Sequence, residues 1–505
     1  MISRRSLLGG VGAGALALPL TSYATPSQAA SGTQWSRLGS RLRGSLVLPS
    51  DSAYTTAKQL STAEFDDIDP QAVAYCAGPA DVALCLAFAQ HHGIPVAPRS
   101  GGHSAAGYST TTGLVIDVSR LNAVSVGADG VTVGAGTQLV DVTNGLAPHG
   151  LAVSGGFCPT VALGGFLQGG GIGLLTRHAG ISSDTVTGAQ VVLADGRTVR
   201  ASADEHPDLY WAIRGGGGGN FGIVTSYDIT PTHITELTLG TLAWSYDDAV
   251  DVLDGWARWL VDAPRTLGGA AVVTLPDAAP GNTPAVSVLL SSVGTTEELA
   301  AETARLVSLV GRTPTAQNSF TAPYLAVMMS LYGCGDSSQD ECHRVDGPNP
   351  AGVLPRAAFA VERSRLFSGP PSRTMWDGAV ALLDQVRVAG QQHMIQVGAL
   401  GGAANDPGRT DTAYVHRDAL FSTSFLGIIA AGTADSAARA AARQWTDSGF
   451  AVLDPHSNGE TYQNFIDPRL TDWRSAYYAE NYPRLVAVKK KYDPHRVFSF
   501  AQSIG

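Results

Sequence analysis

The chain has 505 residues, 44% hydrophobic and 15% charged, with 33 basic against 43 acidic side chains and a formal net charge of −10. That length is ample for a large core in more than one domain. The acidic balance, with no basic stripe, argues against a nucleic-acid partner, and no stretch after the first 30 residues is apolar enough to span a membrane.

Residues 1–30 open with Arg4 and Arg5 in SRRSLL, run through a weakly apolar segment over 7–20, and end in Ser27-Gln28-Ala29-Ala30. This pattern predicts a twin-arginine export signal cleaved near Ala29 or Ala30, and hence an extracellular protein. Gly9, Gly10, Gly12, Gly14 and Pro19 break the run, whereas a membrane anchor needs about twenty apolar residues. Export permits disulfides. Of five cysteines, Cys334 and Cys342 flank a polar loop and are the expected pair. Cys76 and Cys85, at a strand end and on the apolar face of a helix, are expected as buried thiols. No Cys/His spacing matches a metal site.

A strand over 72–77, a helix over 79–92 that begins with Pro and Asp, and a strand at Val96 make a βαβ-like opening. The loop at 98–107, PRSGGHSAAG, then offers consecutive backbone N–H groups beside Arg99, a nest for a pyrophosphate, together with His103. Short strands follow at 114–117, 131–134 and 151–154, with a helix over 138–148. Residues 151–173, LAVSGGFCPTVALGGFLQGGGIG, set eight glycines around Cys158. Such a backbone can approach a large ligand where a Cβ would collide. A hairpin is expected over 184–193 and 198–200 about Asp195-Gly196, and a short helix over 208–214. The glycine run 215–219 is held between apolar Trp211 and Phe221, Ile223 and Val224, so it reads as a rigid close approach rather than a linker. GGGIG lacks the strand, helix and distant acidic residue of a nicotinamide site.

RSGGHS, SGGFCPTVALGGFLQGGGIG and WAIRGGGGGNFGIV, with the tail YQNFID and YYAENYPRLVAVKKKYDPHRVFSFAQSI, resemble the berberine-bridge-enzyme-like flavin oxidases of the vanillyl-alcohol-oxidase superfamily. These blocks stand in the family's order and span nearly the whole chain after the leader. The resemblance implies an α+β fold: a two-part FAD-binding domain over 36–232, a substrate domain of antiparallel sheet covered by helices over 233–455, and a segment over 456–505 that returns to the FAD domain. It also implies FAD joined to the protein twice, through His103 at the 8α-methyl carbon and Cys158 at C6. The implied cofactor contacts are Arg99, Ser100, Gly101, Gly102, Ser104, Gly155, Gly156, Thr160, Gly164, Gly165, Gly169, Gly170, Gly219, Asn220, Gly222, Val224, Tyr462 and Asn464.

Beyond residue 233 the expected strands are 237–246, 270–275, 285–291, 393–399, 412–416 and 420–425. The expected helices are 247–262, 295–309, 373–389 and 435–448. A sheet with helices on one face would leave its other face over the flavin. Tyr324-Leu325-Ala326-Val327-Met328-Met329 and Tyr332 read either as an apolar substrate wall or as a helix packed in the core.

Oxidising an alcohol on a flavin moves hydride to N5 and needs a base within reach of the hydroxyl. The family's YxNY motif stands here as Tyr462-Gln463-Asn464-Phe465, without its second tyrosine. Tyr462, its pKa lowered by nearby positive charge, is the first candidate base, and Asn464 a group that holds cofactor or backbone. In the strand His393-Met394-Ile395-Gln396, His393 and Ile395 share one face and Met394 and Gln396 the other. The resemblance adds His393, Gln396, Tyr414, His416 and Arg417 as polar candidates over the flavin. No acidic residue stands at 420–425, where some members carry a catalytic glutamate, which argues against carbon–carbon ring closure. Gly164 or Gly165 is expected to leave room for dioxygen at flavin C4a.

The function expected is an FAD oxidase that takes a small-molecule alcohol of a natural product, with O2 as acceptor and hydrogen peroxide as product. An oligosaccharide oxidase forming a lactone is the alternative. A dehydrogenase serving a protein acceptor and a flavin-binding protein without turnover are further alternatives.

Overall fold

The computed structural model describes residues 30–505 except 129, 348 and 431–433. The export-signal reading falls on 1–29, outside the described residues. A four-stranded sheet opens the fold, in the order Ser45–Val47, Ala72–Tyr75, Leu114–Asp117 and Val96–Arg99. Its last three strands run parallel. Parallel strands need a crossover, and the helix Pro79–His91 supplies it. Proline at the first helical turn gives up no intrahelical bond. Asp81 in that turn is buried, and its carboxylate accepts N–H groups from Arg43, Gly44 and Ala77, each at 2.9 Å.

A second sheet, fully antiparallel, has the order Val124–Gly127, Gly130–Gly134, Ile223–Ile229, Val186–Val192 and Thr198–Ser202. Its last two strands form the expected hairpin, with Gly196 at φ 83° in the turn.

The largest sheet has seven strands in the order Ala316–Pro323, Glu236–Trp244, Ala285–Ser292, Leu267–Leu275, Gln392–Ala399, Phe421–Ile429 and Phe359–Phe367, every pair antiparallel. Helices Ala249–Leu260, Thr296–Val310, Arg373–Gln385 and Ser436–Leu453 supply the layer that shares its core. Trp256, Trp259, Trp376 and Trp445 fill the space between. The sheet's two outer strands go beyond the expectation from sequence. Ala316–Pro323 is almost wholly exposed and shows no apolar alternation. Phe359–Phe367 is interrupted by Glu362, Arg363 and Arg365.

The expected strand at 412–416 does not form. Its N–H groups go to a helix end instead of a ladder, Ala413 to the carbonyl of Trp211 and Tyr414 to that of Arg214. The helix Tyr324–Leu331 settles its two readings in favour of the core: Tyr324, Val327 and Met328 are buried there and line no part of the large cavity described below.

The C-terminal segment packs on the first sheets. Tyr477, Leu485, Phe498 and Ile504 join the core that holds Val133, Trp211 and Phe221. Buried Lys489 donates to the carbonyls of Asn220 and Phe498 and to Asp493. Arg177, also buried, donates to the carbonyls of Ala263, Leu267 and Leu400 and so fastens the first part of the chain to the seven-stranded sheet. Cys334 and Cys342 form a disulfide with Cα atoms 5.8 Å apart, while Cys76 and Cys85 are buried free thiols. No helix among the described residues is long and apolar enough to cross a membrane.

Candidate active site

The loop after strand Val96–Arg99, the segment 156–174, the glycine run 218–224 and the open face of the seven-stranded sheet converge on one cavity of about 690 Å3. That volume lies within the range of roughly 300–1,000 Å3 usual for ligand sites. Tyr108 and Phe500, ring centroids 4.7 Å apart, line one part of it beside Gly219. His103, Cys158, Tyr462 and Asn464 line another, and Met394, Gln396, Ser422, Leu426 and Glu362 form its roof.

Chain geometry accounts for this convergence. Gly165 faces open space, with no atom within 4 Å of where its Cβ would stand, and Gly219 adopts φ 73° at the cavity wall. Gly164 is different: a Cβ there would meet the Ala135 carbonyl at 2.8 Å, so packing fixes this glycine and only Gly165 leaves room. A cavity of this size bordered by bare backbone, one thiol and one imidazole fits a dinucleotide with a flat ring system. Arg99, Ser100, Gly101, Gly102, Ser104, Gly156, Gly222 and Val224 also line it.

Cys158 is open to the cavity, and burial by the surrounding walls raises its thiol pKa. His103 is pushed down to about 4 by burial, reinforced by the Arg344 guanidinium, so the ring is neutral. Its Nε2 lies 2.8 Å from Thr160 Oγ1.

Tyr462 is buried at the cavity wall, and its hydroxyl accepts hydrogen bonds from the Gly171 N–H at 2.7 Å and Asn464 Nδ2 at 2.8 Å. Those donors favour the phenolate, but burial outweighs them and raises the pKa. The expectation of a lowered phenol is therefore corrected. Phe465, in place of the motif's second tyrosine, stands edge-on to Tyr462 at 5.0 Å.

Several expected site residues lie elsewhere. Side-chain alternation turns Met394 and Gln396 to the cavity and His393 to the helices, where it stacks on Trp445 at 4.3 Å and 4°. Tyr414 packs under Gly170 and meets Tyr462 edge-on at 6.1 Å, behind the cavity wall. His416 bridges Glu460 at 2.7 Å and Gln463 at 3.0 Å, and Arg417 pairs with Asp184. His416 thereby braces the segment that carries Tyr462, and none of these groups lines the cavity.

Among the expected cofactor contacts, Gly155, Thr160, Gly169, Gly170 and Asn220 also stand off it. Gly155 packs its backbone against Gly173, and a Cβ at Gly169 would strike Asn464. The Asn220 amide donates to Gly216 and Gly217 and accepts from Ile504, tying the glycine run to the C-terminus. The guanidinium of Arg99 turns away to Asp117 and the Ala57 carbonyl.

One residue outside the sequence expectation stands in the roof. Glu362, half-buried, shares a row across three strands with Leu426 and Met394. Burial raises its pKa to about 7, with the Ser424 hydroxyl opposing the shift. The only sequence signal for it was a lone acid between Val361 and Arg363 in a run too charged to read as a strand. Among the described residues no cluster of potential metal ligands occurs.

An FAD-binding-domain family matches residues 70–202, and a family described as berberine and berberine-like matches 461–505. An uncharacterised FAD-linked oxidoreductase of Bacillus subtilis, YgaK, is 30% identical over 474 residues, 92% of this chain and 97% of its own. Chitooligosaccharide oxidase of Gibberella zeae is 27% identical over 459 residues, 86% of this chain and 87% of its own. Among solved structures, BBE-like 1 of Physcomitrella patens has a TM-score of 0.82 at 23% identity, covering 93% of this chain and 99% of that one. Berberine bridge enzyme of Eschscholzia californica has a TM-score of 0.81 at 20% identity, with 94% and 98% covered.

Proposed function

The chain belongs to the FAD-linked oxidoreductases of berberine-bridge-like type, and from that premise we propose that it is an exported oxidase of a bulky, largely apolar natural-product alcohol. FAD, when bound, supplies the hydride acceptor and passes the electrons to dioxygen, leaving hydrogen peroxide. His103 and Cys158 would hold it by two covalent bonds, at the 8α-methyl carbon and C6, with Ser100 to Ser104, Gly156, Gly165, Gly219, Gly222 and Val224 along its length. The twin-arginine route suits this reading because it exports folded, cofactor-loaded protein.

The observation that carries the reading is Glu362 in the roof of the cavity that His103 and Cys158 also line. An alcohol that gives up hydride must lose its hydroxyl proton, and a base works best with a pKa near the operating pH. A carboxyl at about 7 meets that requirement, and a buried phenol raised above its ordinary value does not. Glu362 therefore accepts the proton. Tyr462 orients the substrate oxygen as a hydrogen-bond donor, its own oxygen already occupied by Gly171 and Asn464. Gln396 adds an amide beside them, while Met394, Leu426, Ile172 and Phe465 give apolar surface for the rest of the substrate.

The 27% identity to a chitooligosaccharide oxidase supports a second reading, oxidation of an oligosaccharide at its anomeric carbon. The test is peroxide yield across hydrophobic secondary alcohols, their glycosides and oligosaccharides. Turnover of the apolar alcohols with one peroxide per product supports the proposal, and turnover of oligosaccharides alone favours the second reading. Flavin reduction without peroxide would make the protein a dehydrogenase, and no reduction by any member a binding protein.

A further inference from the structure

His103 stands between two spaces. It lines the large cavity and also a small polar pocket of about 60 Å3 behind its loop, shared with Arg99, Gln138, Thr160 and Arg344. Thr160 lines only the small pocket, and its hydroxyl meets His103 Nε2 at 2.8 Å. The imidazole is thus gripped by one nitrogen from the side away from the large cavity.

We propose that Thr160 is the positioning residue for cofactor attachment at His103, fixing the ring so that Nδ1 presents a lone pair to the large cavity. The inference rests on the reading of His103 as an attachment point. A neutral imidazole carries one N–H and one lone pair, and the tautomer follows from the partner each nitrogen finds. A threonine hydroxyl that accepts from Nε2–H leaves Nδ1 as the nucleophile. Burial and the nearby Arg344 guanidinium both disfavour the imidazolium, which would have no lone pair to offer.

Chain geometry makes the grip rigid. Cys158 and Thr160 belong to one short turn, closed by the Val161 N–H on the Cys158 carbonyl at 3.3 Å. That turn is bonded outward through Val140 N–H to the Pro159 carbonyl and Leu139 N–H to the Val161 carbonyl. A single segment therefore supplies the thiol and aims the imidazole. Attachment forms one N–C bond to the flavin methyl carbon and breaks one of its C–H bonds. The released hydrogen, the imidazole proton and the electron pair reduce the ring system by two electrons. Dioxygen, the oxidase's own acceptor, takes them up as hydrogen peroxide.

The test is the intact mass of denatured protein in the Cys158→Ala background, where covalent FAD reports His103 alone. Cys158→Ala is expected to keep one FAD mass. Thr160→Val added to it should lose FAD-bearing protein roughly tenfold or more, as displaced reacting groups do, and Thr160→Ser should restore it. Thr160→Val with Cys158 intact should stay folded and FAD-linked through the thiol. Full FAD mass in Thr160→Val/Cys158→Ala would overturn the inference while leaving His103 attachment intact. Absence of FAD from Cys158→Ala itself would overturn both. Loss of FAD from Thr160→Val with Cys158 intact would also contradict a role confined to His103.

Discussion

Glu362 lies across from Leu426, two residues along the neighbouring strand from Ser424, whose hydroxyl only partly offsets the burial that lifts the carboxyl pKa to about 7. Glu362→Gln keeps the shape and removes the base. Flavin reduction by substrate should fall about 100-fold or more, since general bases typically contribute that much. Tyr462→Phe should cost less, because it removes an orienting hydrogen bond. Rapid-mixing measurement of the reductive half-reaction checks both, and a loss below about tenfold for Glu362→Gln would remove it from the base role.

The same carboxyl sets a pH limb. Activity should rise with pH through about 7 as Glu362 gives up its proton. Because the Ser424 hydroxyl lowers that pKa, Ser424→Ala should move the limb to higher pH. A kcat/KM profile reads both, and an unshifted limb in Ser424→Ala would assign it to another group.

Stability should show the linked effect. The folded protein keeps the Glu362 proton between about 4.5, the ordinary carboxyl value, and about 7, whereas the unfolded chain has lost it. Native stability from this group is therefore complete below about 4.5 and declines as pH rises to about 7. Glu362→Gln should accordingly gain stability over wild type above pH 7, by at most ~3 kcal/mol, and gain none below pH 4.5. Chemical melts at pH 4 and 8 test the difference.

Arg177 offers a purely structural prediction. It spends its guanidinium on three carbonyls, those of Ala263, Leu267 and Leu400. Hydrogen bonds to charged groups contribute about 1.5–3 kcal/mol each. Arg177→Met should destabilise the fold by about 3–5 kcal/mol, with Arg177→Lys in between. Denaturant unfolding measures this, and a change under about 1 kcal/mol would contradict the clamp.

The Cys334–Cys342 bridge closes a loop with a sequence separation of 8. Loop-closure entropy for that length predicts a loss of about 2–3 kcal/mol in Cys334→Ser/Cys342→Ser. Thermal unfolding of that variant, beside wild type with and without reductant, checks it.

Much of the site was legible because its elements are local. His103 and Cys158 sit in glycine-punctuated loops whose composition announces a close approach to a ligand, and both border one cavity. What long-range pairing decides was not legible. Arg99 was expected as a cofactor contact beside the loop's backbone nest, yet the parallel register places Asp117 directly beside it to take its guanidinium. Period-2 alternation separated His393 from Gln396, but only the helix bearing Trp445 determined which face was core. Glu362 stayed hidden because Arg363 and Arg365 interrupt its strand, each neutralised by carboxylates far along the chain, Asp467 and Asp454 among them. The segment 412–416 carried strand-like residues, but its N–H groups had already been claimed by the helix end at Trp211 and Arg214.

Attachment of FAD through His103 and Cys158 is tested most directly by the intact mass of denatured wild type beside His103→Ala, Cys158→Ala and the double variant. One FAD mass in wild type and each single variant, and none in the double, is the predicted result. Denatured wild type without FAD, or a double variant that still carries it, would contradict the account.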